Sequence, residues 1–327
     1  MHLAVRLAVA NALWIAGCAT GQTCCNPCPP IPTAPAVVRQ ESQPARAFAF
    51  HDGKTGGATT LEAFLAASRD ADLIAFGELH GHPIGARAEL QALEGMAAGP
   101  RPVALALEFL ERDVQGAIDD YLAGRGSESD FVKAARQGPA YASTHRPLVE
   151  FAKAHRLAVL AANAPRRLVT AYRKRENSYA DYLAGLSETD RGFLPASTTV
   201  ATGPYLDRFT TLMGAERASK LMKAQSLWDD AMADVVASHR AAHPDARVLL
   251  VVGAFHVAGR LGTIAKYRER RPNDRVGLLV MTEGEPPALA FDPGDRDEGD
   301  VILTVAPVAP PPLPAAATPP PKAAPKP

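Results

Sequence analysis

Short apolar runs recur through the middle of the chain, each too short to cross a membrane and each bounded by turn residues. Asp72–Gly77 (DLIAFG), Arg101–Glu108 (RPVALALE), Leu157–Ala162 (LAVLAA), Arg247–Gly253 (RVLLVVG) and Arg275–Thr282 (RVGLLVMT) read as strands buried on both faces. Between them, apolar residues fall three and four apart over Thr60–Ser68, Ile84–Ala97, Glu111–Leu122, Pro147–His155 and Glu216–Arg240. That spacing predicts amphipathic helices. Buried strands alternating with helices predict an α/β fold, a mostly parallel sheet with helices on both faces. Tyr172–Asp207, polar and rich in turn residues, reads as a mostly helical insertion over one face.

Composition changes the picture at both ends. Of 29 prolines, six lie in residues 1–45 and ten in 306–327, which confines the folded domain to residues 46–306. Residues 1–17 read as a signal peptide: His2 and Arg6 precede the apolar run Leu7–Ala16, which ends in small residues before Cys18. Leu13-Trp14-Ile15-Ala16-Gly17-Cys18 resembles a bacterial lipobox, with Cys18 as the lipidated residue. Residues 18–45 form a Pro/Cys-rich tether, and 307–327 a Pro/Ala-rich tail expected to be extended or disordered. By resemblance to sorted lipoproteins, Ala19 directs the chain to the cell envelope, lipid-anchored on the outer membrane and facing the periplasm. Two of Cys24, Cys25 and Cys28 are expected to pair there. Pro29, following the CxxC of Cys25–Cys28, excludes the covalent haem-attachment pattern.

Lys plus Arg and Asp plus Glu each number 35, so the net charge is zero and the basic surface of a nucleic-acid binder is absent. All four cysteines precede residue 29, which excludes thiolate zinc and thiol catalysis from the folded part. What remains gathers at strand ends. In an open α/β sheet, sites form beyond the carboxyl ends of the strands. The first buried run delivers Glu78, His80 and His82, the second Glu108, the third Asn163 and Arg166, and the fourth His256. Glu78, His80, Glu108 and His256 suit acid–base catalysis, and His80, His256 and Glu108 suit a divalent metal. His82, just before Pro83, reads as a helix cap. His51, His145, His155, His239 and His243 read as surface or edge residues. Gln225, Trp228, Asp229 and Met232 share one helix face. A buried amide and carboxylate there need partners, so that face is expected to roof the polar site.

The ordered blocks Gly77–His80, Leu107-Glu108-Phe109, His145-Arg146-Pro147-Leu148, Ala161–Arg166, Ala224–Ala233 and Gly253–Val257 resemble ChaN-like lipoproteins. This is a haem-binding family within the Tiki/TraB and erythromycin-esterase-like clan. The resemblance implies a haem-binding lipoprotein in haem and iron uptake, stacked haems at a homodimer interface, and an outer-membrane haem receptor as partner. It also implies a tyrosine ligand to iron. Tyr205 is the first candidate, with Tyr141, Tyr179 and Tyr182 as rivals, and Asn163, Arg166, Gln225, Trp228 and Asp229 complete the expected cofactor-binding set. The clan's hydrolases use two GxxH motifs and a glutamate, matched here by Gly77–His80, Gly253–His256 and Glu108. A metal-dependent esterase- or protease-like hydrolase is therefore the alternative. The second motif departs from the usual pattern by carrying Ala254-Phe255, whose bulk is expected to narrow the pocket.

Overall fold

The computed structural model describes residues 47–308. The expected signal peptide, the expected lipidation of Cys18, the expected cysteine pairing and nearly all of the Pro/Ala-rich tail lie outside the described residues. No helix among the described residues is long and apolar enough to cross a membrane.

Seven strands form one sheet: β1 (Phe48–Asp52), β2 (Leu73–Glu78), β3 (Val103–Glu111), β4 (Ala158–Asn163), β5 (Arg247–Gly253), β6 (Val276–Glu283) and β7 (Val301–Val305). Their spatial order is β1-β7-β6-β2-β5-β3-β4, parallel except for the β1–β7 pair. The α/β class with a mostly parallel sheet is thus as the periodicity predicts. The five expected strands are β2 to β6. The edge strand β1 and its neighbour β7 escape the sequence pattern, because each is five residues long and lies beside Pro-rich or Gly/Asp-rich sequence.

Alternation along the central strands divides the core into two layers. Ile74, Phe76, Leu105, Leu107, Leu249 and Val251 face one side, where α1 (Leu61–Ala67), α2 (Pro83–Ala97), α3 (Gln115–Leu122), α4 (Glu128–Ala134) and α5 (Arg146–His155) supply partners such as Phe64, Leu93, Ile118, Phe131 and Leu148. Leu73, Ala75, Ala104, Ala106, Leu250 and Val252 face the other, together with Met232, Val236, Ile264 and Tyr267. Both faces being covered explains why these strands read as unbroken apolar runs.

The insertion between β4 and β5 is helical, as expected: α6 (Arg166–Arg173), α7 (Tyr179–Ala184), α8 (Glu188–Gly192) and α9 (Pro204–Met213) lead into α10 (Ala215–Ala242). After β5, α11 (Gly262–Arg270) returns the chain to the sheet. From β2 the chain runs outward to β3 and β4, whereas from β5, beside β2, it crosses to β6 and β7 on the other side, and the site lies at this reversal.

Candidate functional site

Four strands and one helix build the site. Beyond β2, His80 donates from Nδ1 to Glu78 Oε1 at 2.9 Å, and its ring stands in the open with a side-chain exposure of 59%. In β3 the pairing with β4 shifts register between Leu107 and Glu111, a local irregularity that re-aims Glu108 and Phe109. Glu108 Oε2 accepts from the Gly253 amide at 2.6 Å. Past β5, a single 3-10 turn over Ala254–His256 carries His256 back under the site.

Gly253 shows why a glycine heads the second motif. A Cβ there would lie 2.7 Å from His80 Cε1 and 3.0 Å from Nε2, so any side chain would push the imidazole aside. Gly77 serves the same end beneath: its Cβ would meet Val257 at 2.9 Å and the Ala254 backbone at 3.0 Å, closing the space into which the turn packs.

The helix face singled out by its amide and carboxylate lies against His256. Asp229 Oδ1 accepts from His256 Nδ1 at 2.7 Å and from the Thr263 hydroxyl at 2.8 Å, while its Oδ2 accepts from the Tyr205 hydroxyl at 2.7 Å. Gln225 donates to that same hydroxyl at 3.0 Å. Held in this way, His256 lies with Nε2 3.6 Å from Glu108 Oε1. Burial disfavours the imidazolium, yet the Asp229 and Glu108 carboxylates push its pKa up to about 9.

These groups border an open cavity of about 1100 Å³. His80, Glu108, Phe109 and His256 line it, together with Trp228, Asn163 and the arginines Arg136, Arg166 and Arg167. Arg136 is paired with Glu111 and Asp113 at 2.8 and 2.6 Å, and Arg167 with Asp190 at 2.6 Å; among the described residues Arg166 has no such partner. Of the residues expected from sequence, His80, Glu108, His256, Asn163, Arg166 and Trp228 line this cavity. Gln225 and Asp229 do not reach it and instead brace His256 from behind.

Tyr205 is not brought into the cavity either. It is 4% exposed, and burial together with the Asp229 charge drives its pKa upward, so its hydroxyl is a donor that holds Asp229. The rivals Tyr141, Tyr179 and Tyr182 are buried as well, the latter two donating to the Pro195 and Leu168 carbonyls. Phe255 does not narrow the cavity: its ring lies with Tyr205 and Phe209, at centroid distances of 5.2 and 5.4 Å, and outside the lining.

Two of the histidines read as surface or edge residues, His51 and His145, are buried. His145 Nε2 lies 3.3 Å from Glu78 Oε2, and its ring stacks on Phe109 at 4.0 Å. Burial works against the Glu78 charge, but His145 and His80 outweigh it and hold its carboxyl at about 2. Glu89, missed entirely from sequence, lies beside Glu78; burial and the Glu78 charge drive its carboxyl well above the usual range. A signal was present. Glu89 shares the buried stripe of α2 with Gly85, Ala92, Leu93 and Met96, and a carboxylate in an apolar stripe requires a partner. His82 caps α2 as predicted, its Nδ1 accepting from the Ile84 amide at 3.2 Å.

A group of ligand atoms compact enough to enclose one ion, all within 4.8 Å of one another, is formed by Glu78, Glu89 and His145. The trio expected from sequence, His80, His256 and Glu108, borders the cavity but is not the compact group found among the described residues.

The family model for haem-binding uptake proteins of the Tiki superfamily, ChaN, matches residues 64–266. Among solved structures, ChaN of Campylobacter jejuni with cofacially bound haem is similar to this chain with a TM-score of 0.55 and 18% identity. That match covers 78% of this chain and 96% of the other, and the likeness is one of fold. The type III effector HopBA1 has a TM-score of 0.45 at 11% identity, over 82% of this chain and 99% of its own. An erythromycin esterase mutant in an open conformation has 0.44 at 11% identity, over 72% and 77%. No curated protein matches the chain.

Proposed function

The chain belongs to the haem-binding uptake family of the Tiki superfamily, the family of ChaN, and from that premise we propose that its cavity takes up haem with His80 as the iron ligand. The observation that carries the ligand assignment is a contrast between side chains. All seven tyrosines are buried and none lines the cavity, whereas the His80 ring is open to it. Glu78 accepts the Nδ1 proton of His80, which leaves Nε2 for a metal, the arrangement in which a carboxylate orients a ligating imidazole.

The rest of the cavity suits the same molecule. Its volume is that of a large small-molecule site, Phe109 and Trp228 offer apolar faces to a macrocycle, and the lining arginines Arg136, Arg166 and Arg167 match a pair of propionates. Haem is cargo in this reading, and the chain's own residues orient the ligand, receive the carboxylates and hold the ring. Anchoring through Cys18, an outer-membrane location facing the periplasm, a role in iron uptake, a haem receptor as partner and a homodimer that stacks two haems complete the proposal. They rest on the lipobox and on family membership.

Absorption titration of the full chain with haem tests the binding site. A saturable Soret shift that weakens at least about tenfold in His80→Ala and persists in Tyr205→Phe is the expected result. A flat titration, or binding lost in Tyr205→Phe and kept in His80→Ala, overturns it.

One observation favours a second reading, the metal-dependent hydrolase. Two imidazoles oriented by carboxylates, His80 by Glu78 and His256 by Asp229, border one cavity with Glu108 near the second. Such a set moves protons between substrate and water. Ester or peptide hydrolysis that disappears in His256→Gln, with no haem spectrum, would select this reading.

A further inference from the structure

We propose that Glu78, Glu89 and His145 form a binding site for one divalent transition-metal ion, buried beneath the haem cavity and separate from its histidines. Hydrogen-bond accounting carries the argument. The Thr144 hydroxyl gives its proton to the Ala140 carbonyl at 2.8 Å, so toward His145 Nδ1, 3.2 Å away, it accepts. Nδ1 of the imidazole therefore carries a proton and does not face the cluster. Nε2 faces Glu78 Oε2 at 3.3 Å, so it is the ring atom turned into the cluster, and a metal ion there takes the place of the Nε2 proton.

Glu89 supplies the independent second observation. It is 1% exposed, its Oε2 has no hydrogen-bond partner among the described residues, and it lies in the compact group with Glu78 and His145. Three buried groups thus converge on one point, and one of their carboxylate oxygens has no partner. Burying that oxygen without a partner costs its solvation with nothing in return. A divalent ion satisfies all three at once.

The donor set also selects the ion. One imidazole and two carboxylates suit zinc, manganese or ferrous iron, and disfavour calcium and magnesium, which take oxygen alone. The surroundings are those of a ligated histidine: Nδ1–H is fixed by Thr144, and the ring is clamped by Phe109 at 4.0 Å. Glu78 then faces two ways, with Oε1 on His80 at the cavity and Oε2 on the buried ion.

The test is titration of Co2+ into the full chain, stripped with EDTA, free of any histidine tag, and with Cys24, Cys25 and Cys28 replaced by serine. Saturable visible bands at one Co2+ per chain, displaced by Zn2+ and lacking thiolate charge transfer, are expected. Zn2+ should raise the melting temperature, and Glu89→Gln and His145→Gln should each weaken Co2+ binding by at least about tenfold. Absence of stoichiometric Co2+ binding by the unsubstituted site overturns the proposal and leaves protons as what holds the cluster together. So does binding that survives Glu89→Gln but is lost in His80→Ala, which would place the ion in the cavity.

Discussion

At the amino ends of β2, β5 and β6 the sheet buries Arg240 between Asp72 and Asp274; at the carboxyl ends it buries His256 between Asp229 and Glu108. The arginine donates to Asp72 at 2.9 Å and Asp274 at 3.2 Å, and also to the carbonyls of His243, Pro244 and Ala246. Arg101 adds a second cation to Asp72 at 2.7 Å, and Arg247 reaches the Ala71 and Ser68 carbonyls. A guanidinium stays charged at any pH a fold survives and uses its protons only as donors. That end is therefore neutralised once and for all, and its chemistry is finished when folding ends. An imidazole offers a proton or a lone pair as conditions demand. The carboxyl end thus keeps its groups exchangeable, which is what ligand capture and proton transfer need, and its stability varies with pH as a result.

The comparison breaks most visibly at Arg240. Arg240→Ala leaves Asp72 and Asp274 without their buried cation and should cost about 3–5 kcal/mol in urea unfolding. A loss below about 1 kcal/mol would show that Arg101, on Asp72, and Arg271, 3.1 Å from Asp274, already neutralise that end. The next effect is in pH. His256 titrates at about 9 when folded against an ordinary 6.5, so it binds its proton more tightly in the native state. Its contribution, roughly 3 kcal/mol, is fully present below pH 6.5 and is lost as pH rises toward 9. Urea stabilities at pH 6 and pH 9.5 should differ by that order, and the part due to this pair should vanish in Asp229→Asn. Equal stabilities in the unsubstituted protein would remove the contrast between the two ends.

Two smaller effects sharpen the picture. Trp228 packs against both the sheet-facing layer and the helical insertion but also faces the cavity, so it is half-buried. Trp228→Ala should therefore cost about 2 kcal/mol, less than the 3–5 of a fully enclosed ring, and weaken haem binding too. Calorimetry beside a haem titration separates the two effects. His80→Ala should cost only about 1 kcal/mol, since the ring is largely in solvent and buried Glu78 loses one of its two histidine partners but keeps His145. A large drop in melting temperature would make His80 a structural residue instead.

The legibility of this chain follows its physics. Strands covered on both faces announce themselves as apolar runs, so β2 to β6 were readable, whereas β1, five residues long and mostly exposed or half-buried, carries no such constraint. The strand-end residues Glu78, His80, Glu108 and His256 were readable for the same reason, since a parallel sheet sends every carboxyl end to one side. His145 was not. It opens a helix whose pattern is ordinary, and its burial against Glu78 depends on where α5 lies across the sheet. Glu89 left a trace in an apolar stripe, but its partner is on another element.

The sequence by itself determined which layers form and which residues arrive at the working end of the sheet, because period and burial are local properties of the chain. The tertiary structure alone decided what each arriving group faces: Tyr205 turned inward to Asp229, His80 outward to the cavity, His145 beneath it. Those choices depend on contacts between residues tens to hundreds of positions apart, and no local pattern records them.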